Sequence, residues 1–156
     1  MIEVIETKPQ DIHKNLKLEN DPENRQFIFP YSHERHLQVI ENRHEFHFSI
    51  FDRSGVLVGF IVLALTERED ESLEFRRIVI GDKGKGYGRA AVRWVKAFCF
   101  KQNNYHRLWL DVFSENHRAF QLYKSEGFEQ EGIIRECIKT EDGWKSLILM
   151  SIIKGK

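Results

Sequence analysis

Between an apolar run and a segment of helical periodicity, the chain carries the stretch Lys83-Gly84-Lys85-Gly86-Tyr87-Gly88-Arg89. Its glycines occupy alternate positions, with basic residues between and around them. The run before it, residues 78–80, predicts a strand, and the spacing after it predicts a helix over residues 86–102. The first N–H groups of a helix have no partner in that helix, and glycine lets the backbone approach an anion closely. The stretch therefore predicts a binding site for the pyrophosphate of a cofactor.

Length and composition predict a single globular domain over residues 1–156, with 41% hydrophobic and 31% charged residues. Lys plus Arg and Asp plus Glu both number 24, and this balance argues against a nucleic-acid partner. The longest apolar run, residues 56–65, is too short to span a bilayer, so no membrane partner is expected. The first residues show no signal-peptide pattern, and Cys99 and Cys137 form no CxxC pair. These features predict a reduced, cytoplasmic protein.

Hydrophobic periodicity predicts an α/β fold. Alternating or continuous apolar runs predict seven strands, at residues 3–7, 45–51, 56–66, 73–80, 107–112, 131–139 and 144–153. Helical spacing predicts about four helices, which with their caps cover residues 11–18, 32–42, 86–102 and 116–127. The strands before the glycine stretch are typical of antiparallel hairpins, and the later ones alternate with helices. The prediction is a mixed sheet with helices on its faces.

Two nucleotide-binding motifs can be compared with the glycine stretch. A P-loop requires Lys and then Ser or Thr after its last glycine, and Tyr87-Gly88 follows Gly86 instead. The dinucleotide fingerprint Gly-x-Gly-x-x-Ala fits Gly86, Gly88 and Ala91, and Asp111 lies about where a ribose-binding acid is expected. That fingerprint normally opens a series of βαβ units, whereas antiparallel strands precede it here. A dinucleotide-binding oxidoreductase is therefore an alternative that fits locally but not in context.

Two segments together resemble the GNAT superfamily of acetyl-CoA-dependent N-acetyltransferases. The stretch Lys83-x-x-Gly86-x-Gly88 is similar to the pyrophosphate loop of that family, Gln/Arg-x-x-Gly-x-Gly/Ala, with Lys in place of Gln or Arg. Residues 116–128 match Asn-x-x-Ala-x-x-Leu-Tyr-x-x-x-Gly-Phe at every fixed position. Residues 131–136 are similar to the branch that acetylates N-terminal amines of ribosomal proteins and to its polyamine-acetylating relatives.

The resemblance implies a mostly antiparallel, seven-stranded sheet that splays between its fourth and fifth strands. It also implies direct transfer of an acetyl group from acetyl-CoA to a primary amine, in a complex of all three components. The cofactor is expected against backbone N–H groups of the fourth strand, against the glycine stretch and against one asparagine. These residues are Ile78, Val79, Ile80, Lys83, Gly84, Lys85, Gly86, Tyr87, Gly88, Arg89 and Asn116.

The resemblance assigns the protonation of the leaving sulfur to Tyr123, which lies on the same helical face as Asn116. From the residues alone, Asn116 is equally suited to be an N-cap and Tyr123 to be a core tyrosine with its hydroxyl at the rim. Glu74, upstream of the cofactor amides, is the candidate general base. Its alternative role is an ion pair with Arg76, two residues further along the strand.

The acceptor is predicted to be a small-molecule or peptide amine, held between residues 20–45 and the last hairpin. An aromatic cluster at residues 27–31 is suited either to wall a pocket or to pack over the core. The acidic residues Glu19, Asp21, Glu23 and 67–71 can attract a cationic acceptor or serve solubility alone.

His44 and His47 fall on opposite faces of a strand, and His33 and His36 on a helix face predicted to be solvated, so no metal site is expected. Apolar sheet edges would allow a homodimer. A non-catalytic CoA-binding sensor or interaction module is the remaining alternative, and turnover of acetyl-CoA with an amine would exclude it.

Overall fold

The computed structural model describes residues 1–66 and 69–156. Within these residues the strands are β1 (Glu3–Glu6), β2 (Glu45–Phe51), β3 (Leu57–Leu65), β4 (Ser72–Ile80), β5 (Arg107–Phe113), β6 (Glu129–Thr140) and β7 (Gly143–Ile153). The α-helices are α1 (Ile12–Asn20), α2 (Pro22–Arg25), α3 (His33–Glu41), α4 (Tyr87–Ala97) and α5 (His117–Ser125). A 3₁₀ turn, Pro9–Asp11, precedes α1, and a π-helical segment, Phe98–Gln102, continues α4.

The sequence of residues 20–24 fits either a loop or a helix start, and the structure has a single helical turn there, α2. Asp21 accepts a hydrogen bond from the Glu23 N–H at 3.0 Å, and Pro22 occupies the first helical position. Both features favour a helix start, because the cap satisfies an otherwise unpaired amide and proline needs no N–H there. The chain between α1 and α3 is thereby folded back against the sheet instead of forming an open loop.

The seven strands described form one sheet in the order β1-β2-β3-β4-β5-β7-β6. Only β4 and β5 are parallel, and they pair at Ser72–Arg107, Leu73–Leu108 and Glu74–Trp109 and then separate. The remaining pairs of neighbours are antiparallel. The predicted mixed sheet, splayed between its fourth and fifth strands, is confirmed.

A β-bulge at Arg76 decides which face each side chain of β4 occupies. Adjacent residues 62 and 63 of β3 pair with residues 77 and 75 of β4, so Arg76 is the extra residue. Strict alternation would put residues 73, 75, 77 and 79 on one face. The bulge instead turns Arg77 to the opposite face and keeps the apolar side chains before and after it in one core: Leu73, Phe75, Ile78 and Ile80.

Helices cover the sheet on both faces. The larger core lies beneath α4 and α5, which contribute buried residues including Val92, Val95 and Tyr123. A smaller cluster beneath α1 and α3 joins Val39 to three buried side chains of the central strands: Phe60, Val62 and Val79. Residues 58–64 of β3 are all buried, which confirms the prediction that this strand is covered on both sides.

Two predictions for the first half of the chain are wrong. His36 does not lie on a solvated helix face, because it is on the side of α3 that faces the sheet and is fully buried. Glu19 is not an exposed loop acid that could attract an acceptor, because it lies in α1 and is fully buried against His36. Among the described residues, no helix combines the length and the apolarity needed to cross a membrane.

Candidate active site

A cleft of about 1430 Å³ opens where β4 and β5 separate. Its floor and walls come from β4, the glycine stretch, β5, α5 and the segment that follows α1. Such a volume exceeds the roughly 300–1,000 Å³ of most small-molecule sites. The cleft therefore has room for a long cofactor together with a second reactant.

One end of the cleft is formed by the N-terminus of α4. Gly84 and Gly86 have φ values of +83° and +81°, a conformation that favours glycine, and Gly86 occupies the N-cap position. No described side chain caps this helix, and its first internal hydrogen bond is donated by Ala90 to Gly86. The N–H groups of Tyr87, Gly88 and Arg89 are consequently available to an anion.

The basic side chains of the glycine stretch have three different environments. Lys83 donates to Asn24 of α2 and, at 2.8 Å, to the Ile80 carbonyl, and it lines the cleft. Arg89 also lines the cleft but is paired with the buried carboxylate of Glu126. Lys85 pairs with Asp82 at 2.8 Å and lies outside the cleft. Burial lowers the pKa of Lys83, against the neighbouring carboxylates of Glu23 and Asp21.

The backbone of β4 presents alternate amides to the cleft. The Gly81 N–H donates to Val58 on β3 at 2.8 Å, and the register then assigns the Val79 N–H to β3 as well. The N–H groups of Ile78 and Ile80 face the opposite way, toward the gap left by β5. Of the three predicted backbone contacts, the register thus leaves these two amides available, whereas Val79 packs its side chain beneath the N-terminal helices.

Tyr123 projects from α5 into the cleft and is 7% exposed. Its ring packs edge-on against Phe75 and Phe128, with centroids at 6.2 Å and 5.7 Å. Burial raises the pKa of its hydroxyl above the usual range, and the negative charge of Asp111 raises it further. The side chain is therefore a neutral proton donor held in a fixed position.

Asn116 serves as the N-cap of α5 and lines the same cleft. Its side-chain oxygen accepts a hydrogen bond from the Ala119 N–H at 3.3 Å. The cap leaves the side-chain NH₂ as the group that can donate to a cofactor. The structural and the binding role inferred from the sequence are thus compatible in one residue.

Glu74 is engaged by Arg76, whose guanidinium lies 2.8 Å from its carboxylate, and it does not line the cleft. The carboxylate that does line the cleft close to Tyr123 is Asp111 of β5. Burial raises the pKa of Asp111, the nearby charge of Glu74 raises it further, and Arg76 opposes the rise. Two acidic residues thus stand near the reacting end of the cleft, and Asp111 is the accessible one.

Another part of the cleft wall is largely apolar. Phe27, Ile28 and Phe29 line the cleft from the segment after α2, and Ile138 and Leu147 line it from the last hairpin. These are the two regions that the sequence predicted to hold an acceptor. Among the predicted acidic residues, Glu23 lines this part of the cleft, whereas Asp21 caps α2. Glu67 lies outside the described residues.

Three cleft residues escaped the sequence interpretation. Asp111 was considered only as a ribose-binding acid, although alternation with Leu110 and Val112 indicates that its carboxylate lies on the exposed face of β5. Asn24 and Arg77 gave no sequence signal, because their roles depend on the α2 turn and on the β4 bulge. Among the described residues, no group of His, Cys, Asp and Glu side chains could hold a metal ion.

Comparison with known proteins connects this geometry to a family. A model of the acetyltransferase (GNAT) domain matches residues 5–146. A spermidine N(1)-acetyltransferase of Vibrio cholerae is 28% identical over 136 residues, which cover 83% of this chain and 79% of that protein.

Solved structures have the same architecture. Spermidine N-acetyltransferase from Vibrio cholerae in complex with CoA and spermine has a TM-score of 0.90 at 24% identity, covering 99% of this chain and 96% of that one. A dodecameric structure of spermidine N-acetyltransferase from Vibrio cholerae has a TM-score of 0.85 at 25% identity, covering 99% and 95%. These two acetyltransferase structures thus share the overall fold of this chain.

Proposed function

The chain belongs to the GNAT family of acetyltransferases, and from this premise we propose that it acetylates a terminal amine of a polyamine-like acceptor. Transfer of an acetyl group from acetyl-CoA to an amine follows from the family and from the N-acetyltransferase relatives. The dinucleotide-binding oxidoreductase and the non-catalytic sensor are not favoured by these matches. The acceptor and the residues that act on it form the proposal.

The main observation behind the proposal is that Asp111 and Tyr123 line the same cleft and lie close enough for the charge of Asp111 to affect the pKa of Tyr123. On β5, Leu110 and Val112 pack into the core that also contains Tyr123, so alternation directs Asp111 to the other face of the sheet. A proton acceptor and a proton donor thereby approach the gap from opposite sides. Transfer from a thioester to an amine needs one of each.

The cleft fits acetyl-CoA on several independent features. The uncapped N–H groups of Tyr87, Gly88 and Arg89 suit the pyrophosphate, and the Asn116 amide can donate to the arm of the cofactor. The Ile78 and Ile80 amides face the gap, where they can polarise the acetyl carbonyl. Acetyl-CoA supplies the thioester-bound acetyl group, and the chain supplies orientation and proton transfer.

Tyr123 is the proposed general acid for the leaving sulfur. A thiol has a pKa of about 8.5 and a phenol of about 10, values close enough for the Tyr123 hydroxyl to hydrogen-bond to the departing thiolate and to share its proton with it. The raised pKa of Tyr123 keeps its proton in place until that moment. Packing by Phe75 and Phe128 holds the ring, so the hydroxyl needs little reorganisation.

Asp111 is the proposed general base, in preference to Glu74. A primary amine with a pKa of about 10 enters as an ammonium ion, which a carboxylate attracts and can deprotonate directly or through water. The raised pKa of Asp111 lies closer to the pKa of the amine that it deprotonates. Glu74 shares its charge with Arg76 and serves as a neighbour that keeps the pKa of Asp111 high.

A polyamine-like acceptor suits the remaining wall. The exposed ring of Phe29 and the neighbouring Phe27 offer apolar and cation-binding faces for methylene chains with spaced ammonium groups. Glu23 adds a carboxylate at the same wall. The spermidine N(1)-acetyltransferase relative and the spermine complex support this choice among amines.

The test is release of free CoA from acetyl-CoA with a panel of amines. The panel contains spermidine, spermine, putrescine, a peptide with a free N-terminus and an aminoglycoside. We expect the highest kcat/KM with spermidine or spermine. Higher efficiency with the peptide would reject the polyamine assignment and keep acetyl transfer, whereas no CoA release with any amine would reject catalysis.

We further propose that residues 1–156 act as one catalytic domain that associates with copies of itself. The dodecameric relative supports self-association. The last hairpin also exposes Ile133, Ile134 and Trp144, each at least 47% exposed, and these side chains are suited to an interface. Light scattering should report a mass above that of a single chain.

A further inference from the structure

A chain of buried polar side chains lies outside the proposed chemistry. Glu19 is 2.6 Å from His36 Nε2, and His36 Nδ1 is 2.9 Å from His47 Nε2. His47 Nδ1 is 2.7 Å from the Thr7 hydroxyl, which is 2.7 Å from that of Ser49. These side chains are at most 5% exposed. They connect α1, α3, β2 and the segment after β1 beneath the N-terminal helices.

One assignment of tautomers satisfies every hydrogen bond of this buried chain. In it, His36 Nε2–H donates to the Glu19 carboxylate and His47 Nε2–H donates to His36 Nδ1. Thr7 then donates to His47 Nδ1 and accepts from Ser49. Each donor finds one acceptor, so the arrangement fixes the orientation of the Glu19 carboxylate.

The other oxygen of that carboxylate binds Arg77 of β4. Arg77 Nη1 lies 2.5 Å from Glu19 Oε2, and Arg77 Nη2 donates to the Phe29 carbonyl at 2.8 Å. The guanidinium stacks 3.9 Å from the centroid of the Tyr31 ring. The Tyr31 N–H also points to Glu19 Oε2, at 3.4 Å. One arginine and one carboxylate therefore hold the chain on both sides of Pro30.

We propose that Arg77 is a positioning residue that fixes the acceptor wall, Phe27–Phe29, and that the buried chain ending at Glu19 anchors it. The guanidinium of Arg77 contacts Glu19, Phe29 and Tyr31. Arg77 therefore affects the acceptor by holding the wall in place. The β4 bulge makes this possible, because without it Arg77 would face the larger core. The inference rests on the proposed function only in taking this wall as the acceptor side.

The contacts set the expected effect of removing the guanidinium. Without it, the Phe29 carbonyl loses the Arg77 donor and the Tyr31 ring loses the guanidinium stacked on it. The buried Glu19 carboxylate keeps His36 and the Tyr31 N–H but loses the arginine. Loss of a hydrogen bond to a charged group typically shifts an equilibrium about tenfold or more. The wall should therefore become mobile, and the KM for the acceptor should rise about tenfold or more.

The test compares Arg77→Gln and Arg77→Lys with wild type and with Arg107→Gln. Arg107 also pairs with a glutamate, Glu131 at 2.5 Å, but lies outside the cleft, so it controls for loss of an ion pair. Hydrogen exchange of peptides covering residues 26–31 reports the wall without any acceptor. Steady-state kinetics separate the KM for the acceptor from the KM for acetyl-CoA and from kcat.

For Arg77→Gln we expect faster exchange in residues 26–31, a raised acceptor KM and an unchanged KM for acetyl-CoA. Arg77→Lys should be intermediate, because an ammonium keeps the charge but cannot stack and donate twice. Unchanged exchange in residues 26–31 would overturn the inference, as would faster exchange with unaltered acceptor KM. A lower kcat together with equal increases in both KM values would also overturn it, since the effect would then not be confined to the acceptor side.

The kinetic arm uses the amine that wild type acetylates fastest. If that amine is not a polyamine, the proposed acceptor is wrong, but a raised KM for the amine found would still support the role of Arg77. The failure of one proposal is thus distinguishable from the failure of the other.

Discussion

In the proposed mechanism, Tyr123 and Asp111 divide the two proton transfers that the reaction requires. Tyr123 is buried and uncharged, and its raised pKa keeps the proton available for the leaving sulfur. Asp111 is open to the cleft, and its raised pKa lies closer to that of the acceptor amine. The environment of Tyr123 thus favours the protonated form that a general acid needs, and the environment of Asp111 makes its carboxylate a stronger base.

Replacing Tyr123 by Phe should lower kcat about 100-fold, the usual contribution of a general acid, with little change in the KM for acetyl-CoA. The ring packing against Phe75 and Phe128 does not need the hydroxyl. Tyr105→Phe is the matched control, because Tyr105 is partly buried outside the cleft. Equal kcat values for the two variants would remove the general-acid role.

The two carboxylates should differ in the pH dependence of kcat/KM. Asp111→Asn should reduce kcat/KM about 100-fold, as loss of a general base does, and should abolish the acidic limb of the profile. Glu74→Gln should keep most of the activity and move that limb to lower pH, because removing a nearby negative charge lowers the pKa of Asp111. A larger loss of kcat/KM in Glu74→Gln than in Asp111→Asn would indicate that Glu74 is the general base.

The turn before α4 and the bulge in β4 are the two local structures that build the site. The turn leaves the first N–H groups of α4 without partners inside the chain. The bulge shifts the alternation of side chains along β4 by one residue. Ile78 and Ile80 therefore stay in the core, and Arg77 reaches the N-terminal helices. Lys83 connects the glycine stretch to α2, because its ammonium group donates both to the Ile80 carbonyl at the end of β4 and to Asn24.

Gly86→Ala should raise the KM for acetyl-CoA severalfold and leave the acceptor KM nearly unchanged. A side chain at φ +81° costs about 1 kcal/mol or more, so the turn should shift and misdirect the amides of α4. Gly55→Ala is the control, because Gly55 has φ +83° in the turn between β2 and β3 and lies outside the cleft. An equal rise in the KM for acetyl-CoA with both substitutions would indicate that backbone strain alone causes the effect.

Across the molecule, the two helical layers are attached to the sheet by different forces. Beneath α4 and α5 the contacts are mainly apolar, from side chains such as Val92, Val95 and Phe98. Beneath α1 and α3 the apolar cluster is small, and the buried chain from Glu19 to Ser49 continues it. Polar contacts of this kind depend on protonation, so the N-terminal layer should be the part of the fold that responds to pH.

Unfolding should become easier in acid through His47. Burial lowers its pKa from 6.5 to about 3, with a further contribution from His36, so the folded protein holds this imidazole neutral. The stabilisation is complete above pH 6.5 and is lost as pH falls toward 3, at on the order of 1.4 kcal/mol per pH unit for a single group.

Urea unfolding at pH 7, 6 and 5 measures this slope. His47→Gln is expected to be less stable than wild type at pH 7 and to show a shallower loss of stability toward pH 5. Identical slopes for the variant and wild type would show that His47 does not titrate on unfolding in this range.

Local patterns in the chain were enough to predict the seven strands, the longer helices and the glycine turn, because periodicity and capping act between near neighbours. Two motifs in order were enough to predict acetyl-CoA and Tyr123. Tertiary structure alone decided that His36 and Glu19 are buried and that Asp111 is more accessible than Glu74. Each of these depends on contacts between distant segments: Glu19 becomes a ligand of Arg77 only because a bulge turns that arginine toward α1.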